Sequence, residues 1–358
     1  MHHVRDADTE IKQLVEFYNM YDSNRLRLAY CKDDLKELRE MWDDIFCDPQ
    51  AFADYYFDTV CSEDSDNKIL GAYYDDVLIG MVHLNPYNVS IYGKEERVYY
   101  IVGVSVREDM RRQGIMRAML VKVLEDLRQE GCRFTFLMPE RQEYYTGFGF
   151  EMIYRNKLLE YDLSKCKPDE VDKTSVDAPD IQNLIRYDNA LSARRCEMLS
   201  GYDDRNLSML ARMWNRSLSE RYDVFAMRDE KYLRTMCEEH LCQNGDVCVL
   251  YSDCDDSELV GIYSYDIYED VMYVERFYNT DGNMRIMIMH ALKRAYDNKC
   301  SKCIMTVPSA EIASDNYIFD GIEVNVQNGK GIMAKVFENV SNISIKTLNN
   351  NSFFDEIV

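Results

Sequence analysis

Seven consecutive residues, Arg111-Arg112-Gln113-Gly114-Ile115-Met116-Arg117, carry the chain's clearest chemistry. They set a glycine among arginines where a strand is expected to meet a helix. Helix-start N–H groups lack internal partners, the helix dipole is positive there, and glycine lets an anion approach the backbone. The pattern suits a phosphate or pyrophosphate. Its plain alternative is a solvated basic face, although Arg107, Arg111, Arg112 and Arg117 cluster in a chain of formal net charge -22.

The elements that must position this turn are legible around it. Tyr99 to Val106 is rich in β-branched and aromatic residues and reads as a strand. Arg107 to Gln113 reads as the turn. Met116, Met119, Leu120, Val123, Leu124 and Leu127 then recur at helical spacing, with Gly131 as a stop.

The string GVSVREDMRRQGIMRAML resembles the R/Q-x-x-G-x-G/A pyrophosphate loop of the GNAT superfamily of N-acetyltransferases, and specifically its Eis (enhanced intracellular survival) branch. Met116 departs from the final Gly/Ala, and a larger apolar residue there is usual in that branch. Glu143 to Phe150 (EYYTGFGF) resembles the family's Y-x-x-F-G segment, and Met41 to Phe57 its aromatic-rich helical region. These matches span roughly residues 25–160, with weaker similarity to about Lys335.

The resemblance implies acetyl transfer from acetyl-CoA, the co-substrate, directly to an amine in a ternary complex. Such transfer needs a phosphate cradle (Arg111, Arg112, Gln113, Gly114, Ile115, Met116, Arg117). It needs a strand edge that holds the pantetheine arm and polarises the carbonyl, with Gly103, Val104, Ser105 and Val106 as candidates. It also needs a base for the amine and an acid for the leaving thiolate. The resemblance assigns the acid to Tyr145, with Tyr144 as the fallback, and the base to the C-terminal carboxylate, here Val358. Glu356 is the candidate to attract a cationic amine or replace that carboxylate. Trp42 and Phe46 are candidates to wall the acceptor pocket, and core packing is the commoner fate of such aromatics. The expected acceptor is a small cationic amine of polyamine or aminoglycoside type. The alternatives are a peptide or protein N-acetyltransferase and a non-catalytic acyl-CoA-binding module.

Composition sets the outer bounds. The 358 residues suggest two or three domains, and the hydrophobic fraction of 46% is that of a globular protein. No apolar run approaches membrane-spanning length, and the N-terminus lacks a signal core, so the chain reads as cytoplasmic. Acidity argues against nucleic acid and anionic membrane partners. The twelve cysteines read as reduced and structural, with Cys300 and Cys303 the only C-x-x-C. No Cys or carboxylate stands at a recognisable spacing from His2, His3, His83, His240 or His290, so neither a metal site nor a nucleophilic triad is expected.

In chain order, Met1 to Asn24 reads as a helical arm and Leu26 to Cys31 as a strand. Asp33 or Asp34 caps a helix to Phe46, and a second helix runs through Phe57. Strands follow at Lys68–Tyr74 and Val77–Leu84, with a loop over Asn85–Glu95 before the central strand. Arg133–Met138, Tyr144–Phe148 and Phe150–Tyr161 read as strand, short helix and strand, and the charged segment from Ser164 to Lys173 as a linker. The order strand–strand–strand–helix–strand then recurs over Asp246–Tyr251, Glu258–Tyr265, Asp270–Thr280, Met284–Asn298 and Lys302–Pro308. Its turn, NTDGN, has no arginine and carries Asp281. The expectation is an α+β fold of tandem GNAT units: a cofactor-binding domain over 1–160 and a degenerate copy without cofactor over 161–335. Residues 336–358 read as a tail left from a sterol-carrier-like third domain. The family's multimers suggest a homo-oligomer, but the shortened C-terminus leaves that open.

Overall fold

The computed structural model describes residues 25–31, 35–62, 64–164, 194–252, 258–280, 282–312, 317–319, 322–337 and 343–354. The expected N-terminal arm, the Asp33/Asp34 cap, the linker, Asp281, Glu356 and Val358 lie outside these residues.

The first half opens with β1 (Leu26–Tyr30), α1 (Leu35–Phe46) and α2 (Gln50–Tyr55), which runs on as a wider turn over Tyr56–Val60. Leu38, Met41 and Trp42 supply the buried stripe of α1 at helical spacing. β2 (Lys68–Tyr74), β3 (Val77–Ile91) and β4 (Lys94–Val106) form an antiparallel meander. Both hairpins turn through pairs of residues with positive φ, Asp75-Asp76 and Tyr92-Gly93, the backbone that matches the twist of the flanking strands. α3 (Ile115–Gln129), β5 (Phe134–Leu137), α4 (Glu143–Thr146) and β6 (Glu151–Asp162) follow.

The expected loop over Asn85–Glu95 is corrected: β3 runs through it to Ile91. Asn85, Pro86 and Asn88 resemble turn residues, but here β3 has a neighbour on one side only. Its pairing with β2 ends at Leu84, and that with β8 (Val224–Ala226) begins at Val89. A strand with one open edge tolerates the N–H that proline lacks.

The second half adds β7 (Arg194–Met198), α5 (Asp204–Ser219), β8 and α6 (Glu230–Leu241), then β9 (Asp246–Ser252), β10 (Leu259–Tyr268), β11 (Val271–Asn279), α7 (Met284–Asp297) and β12 (Lys302–Pro308). β9–β10–β11 pair antiparallel and β11–β12 parallel, as β2–β3–β4 and β4–β5 do. The repeat expected from the strand order is thus present in the pairing.

The two halves share one mixed sheet, in the order β1-β2-β3-β4-β5-β13-β6-β12-β11-β10-β9-β7. β13 (Glu323–Val336) comes late in the chain yet lies beside β5, with Met333 opposite Leu137 and Val336 opposite Phe134. β6, from the first half, lies beside β12, with Lys302 opposite Asp162 and Pro308 opposite Asn156. Each half completes its sheet with a strand from the other.

The chain's last described elements, α8 (Ile345–Asn351) and β14 (Ser352–Phe353), pin the halves again. Phe353 packs against Tyr222 and Tyr278 at 5.3 and 5.5 Å. Phe354 packs on Phe136 and Phe134 at 4.7 and 5.8 Å. Consecutive residues on an extended chain point to opposite sides, so one phenylalanine enters each core.

Shared strands predict cooperative unfolding. The chain has two tryptophans, Trp42 in the first half and Trp214 in the second, both buried. In urea, Trp42→Phe and Trp214→Phe variants, each reporting the remaining tryptophan, should each show one transition seen identically by fluorescence and circular dichroism. A fluorescence midpoint that departs from the circular-dichroism midpoint would show the halves unfolding separately.

Candidate active site

Two neighbours flank β4 at its middle, and one over its last part. On the β5 side its pairs are Tyr99 with Thr135 and Tyr100 with Phe136. Beyond Tyr100, among the described residues, β4 is paired with β3 alone, as far as Val106 opposite Gly80. The strands part there, leaving a backbone edge along Val102–Val106.

A bulge shapes that edge. The β3–β4 register shifts between Met81/Ser105 and His83/Val102, putting an extra residue on β4. Gly103 sits in the bulge with φ +63°, and a Cβ there would stand 2.6 Å from Trp42 Cζ3 and 3.1 Å from His83 Cδ2. Only glycine meets both the conformation and the contact. Trp42 is therefore the wall behind the bulge: it is 3% exposed, donates from Nε1 to Asp48 Oδ2 at 2.9 Å and stacks on Tyr56 at 4.8 Å.

At the end of β4 the chain turns through Arg107–Gln113, all exposed but for half-buried Met110. Arg107 pairs with Asp109 at 2.8 Å, and Arg111 Nε donates to Val106 O at 3.1 Å. Arg112 has φ +64° and Gly114, the N-cap of α3, has φ +87°. The N-cap Gly114 has no side chain to cap α3, and Arg111, Arg112, Gln113 and Arg117 around it are exposed. A helix start beneath exposed arginines can take a phosphate-bearing anion, and an open strand edge can take an extended chain with amide groups. Val104 and Val106 are half-buried on that edge, while Ser105 is 5% exposed. Ile115 is buried and Met116 half-buried on α3.

Tyr145 lies on α4, between β5 and β6. It is 8% exposed, packs edge-on to Phe150 at 5.9 Å, and its phenol is pushed up to about 12 by burial and by Tyr144. Tyr144 is exposed. The following Phe148 receives the Arg117 guanidinium over its ring at 5.5 Å, and its carbonyl accepts from Lys335 Nζ at 2.7 Å. The Arg117–Phe148 contact ties Tyr145's segment to the first turn of α3.

A cavity of about 220 Å³ lies between α2 and β3 on one side and α6 and β11 on the other. Phe52, Tyr55, Tyr56, Asn85 and Tyr87 line it from the first half, and Tyr232, Glu239 and Arg276 from the second. Arg276 pairs with Glu239 at 2.6 Å, and Arg97 with Asp66 at 3.2 Å. Tyr56 donates to Asn85 Oδ1 at 3.2 Å. Trp42 and Phe46 do not line this cavity: Trp42 is buried against Tyr56, which does, and Phe46, 36% exposed, lies at the far end of α1 with its ring tilted against Trp42 at 4.6 Å. The aromatics that reach the cavity are those of α2, one helix later. Their i, i+3, i+4 pattern at Phe52, Tyr55 and Tyr56 is visible in the sequence but reads equally as core.

Histidines also have partners that sequence spacing conceals. His240 Nδ1 meets Asp266 Oδ1 at 2.9 Å, and His290 meets two cysteines. His83 is fully buried beside the bulge, 3.2 Å from Tyr56 Oη. Burial pulls its pKa down to about 3, so at neutral pH it holds no charge and makes a poor base for an amine.

Similarity to known proteins adds to this geometry. Residues 26–153 match the family model described as an acetyltransferase (GNAT) domain. A search of curated proteins finds no significant match. Among solved structures, a probable N-acyltransferase from Enterococcus faecalis V583, described as a conserved protein of unknown function, superposes with TM-score 0.63 at 14% identity, over 87% of this chain and 73% of its own. A GCN5-related N-acetyltransferase from Kribbella flavida gives 0.61 at 12%, over 88% and 71%. Eis1 from Mycobacterium abscessus gives 0.53 at 13%, over 87% and 73%. At these identities the likeness is one of fold. No helix among the described residues is long and apolar enough to cross a membrane.

The neutral His83 gives a pH test. The unfolded chain takes up a proton at this histidine near pH 6.5, whereas the folded chain does not until about pH 3. The stability that His83 contributes is present above the unfolded value and is lost as pH falls toward 3, by up to about 1.4 kcal/mol per pH unit. His83→Gln should flatten the fall of the urea midpoint over this window. An unchanged slope would mean that the folded state protonates His83 without penalty.

Residues 26–153 thus match an acetyltransferase (GNAT) domain model, and the likeness of fold to N-acetyltransferases extends over most of the chain.

Proposed function

We propose that the enzyme moves an acetyl group from acetyl-CoA directly to an amine of a small cationic acceptor, of polyamine or aminoglycoside type. The observation that carries this reading is the parting of β4 from β5 immediately before a loop that ends at the uncapped start of α3. In this reading Arg111, Arg112, Gln113, Gly114, Ile115, Met116 and Arg117 hold the phosphates. The exposed edge of Val104–Val106 orients the pantetheine arm, and its amides stabilise charge developing on the carbonyl oxygen. Acetyl-CoA, when bound, supplies the activated acyl group.

Tyr145 is the proposed acid. With its pKa at about 12 it stays protonated across the neutral range, so its proton is available to a leaving thiolate. The proposed base is the carboxylate of Val358, taken as the terminal residue. Phe354 seats the tail on Phe136, opposite Tyr100 at the point where the strands part. The four residues beyond it span at most about 14 Å when extended. Glu356 on that tail is the proposed attraction for a cationic amine.

The acceptor would enter through the cavity between the halves, whose β3 wall, Asn85–Asn88, pairs with Tyr100–Arg97 of β4. A volume of about 220 Å³ suits a small amine better than a polypeptide. The net charge of -22 favours cations around the chain. Residues 161–335 are proposed as a second GNAT-like unit whose role is structural, completing the sheet and walling the cavity, with 336–358 as the tail that returns to the first unit.

Thiol release from acetyl-CoA, measured against spermidine, aminoglycosides and lysine peptides, tests this reading. Turnover is expected with the small amines. Tyr145→Phe should lower kcat by about 100-fold with little change in KM, and one residue added after Val358 should also lower it. Turnover with peptides alone would replace the acceptor class. Unchanged turnover in Tyr145→Phe or in the extended chain would remove the acid or the base.

A further inference from the structure

The second half holds a cluster of soft side chains that acetyl transfer does not use. β7 is the edge strand of the sheet and pairs with β9, placing Cys196 opposite Leu250 and Met198 opposite Cys248. β9 pairs in turn with β10, placing Cys248 opposite Tyr263. Strand alternation sets Cys196, Met198, Cys248 and Tyr263 on one face. All four pack in the core beneath α7, which brings His290 to them.

One ligand atom from each of Cys196, Cys248 and His290 lies within 4.8 Å of the others. Met198 Sδ stands 3.8 Å from Cys248 Sγ. The Tyr263 hydroxyl, fully buried, lies 2.8 Å from His290 Nδ1. That bond fixes the ring and leaves Nε2 for another partner, the arrangement by which an outer hydrogen bond orients a metal-binding imidazole. Cys248 is buried, while Cys196 and His290 are half-buried, which gives an ion a way in.

We propose that Cys196, Cys248 and His290 bind one thiophilic d10 metal ion of the zinc type. Two thiolates and an imidazole are a zinc donor set, and the two thiolate charges balance a dication. Tetrahedral zinc with ordinary bond lengths holds its donors about 3.5–3.8 Å apart, so small side-chain rotations close the observed spacing. Arg294 Nη2, 3.8 Å from Cys196 Sγ, favours the thiolate form. The bound ion would clasp the edge strand β7 to α7, joining elements far apart in the chain.

The test is a titration of the reduced, metal-stripped full chain with Co²⁺ and then Zn²⁺. One Co²⁺ per chain should bind and produce sulfur-to-cobalt charge-transfer absorption, which Zn²⁺ bleaches. Cys196→Ser should abolish that absorption, His290→Ala should weaken Co²⁺ binding by at least about tenfold, and Cys47→Ser, at an exposed cysteine, should change neither. Zn²⁺ should raise the Tm of the unsubstituted chain and leave that of Cys196→Ser unmoved. Cys196 is half-buried, so its serine variant should fold, with far-ultraviolet circular dichroism as the check. Absence of the charge-transfer band from the unsubstituted chain would overturn the proposal, as would its persistence in a folded Cys196→Ser variant.

Discussion

The site depends on β4 losing one neighbour where it gains a bulge. At Tyr99 and Tyr100 the strand is held on both sides, and beyond them by β3 alone among the described residues. Backbone groups released from a ladder inside a packed protein need other partners. Here they lead toward the start of α3, whose N-cap, Gly114, offers no capping side chain. Gly103 lets the strand bulge, and Trp42 fills the space that a side chain there would take. Strand edge, glycine and tryptophan are thus one device, and α1 supplies its third part.

The rest of the molecule keeps that device rigid. β5, the strand that diverges, is backed by β13 from the distant end of the chain, and β13 is backed by β6. The second half therefore contributes to the first half's site through sheet continuity, whatever its own turn binds. Phe353 and Phe354 add a second tie by entering the two cores. Such cross-linking limits independent motion of the halves and holds constant the cavity between them, where Arg276 and Glu239 form a buried pair. A buried ion pair is weak evidence for stability but fixes geometry, since each partner left alone would bear a large desolvation cost.

What the sequence made legible was local. The β4–turn–α3 unit, the first hairpin at Asp75-Asp76 and the strand–helix order of the repeat follow from alternation, turn residues and helical spacing, and the structure has all of them. What it hid was long-range. Nothing in Glu323–Val336 announces that it will insert between β5 and β6, because pairing partners distant in sequence leave no local mark. The Asn85–Asn88 stretch looked like a loop because its composition reflects a strand with one open edge. Trp42 was singled out as an aromatic of the pocket region, but spacing could not say whether it would wall the cavity or seal the bulge. The Cys196, Cys248 and His290 cluster was invisible to motif spacing because three separate elements assemble it. The loop Arg111 to Arg117 is legible as a strand-to-helix turn because its residues are consecutive, and its role as an anion cradle is part of the proposal.

Amide hydrogen exchange with and without acetyl-CoA tests the central claim most directly, since it reads the backbone groups on which the site is built. The account expects added protection on Val102–Val106 of β4 and on Ile115–Arg117 at the start of α3. Protection confined to β11, β12 and α7 would move the site to the second half. No protection anywhere at saturating acetyl-CoA would contradict the account.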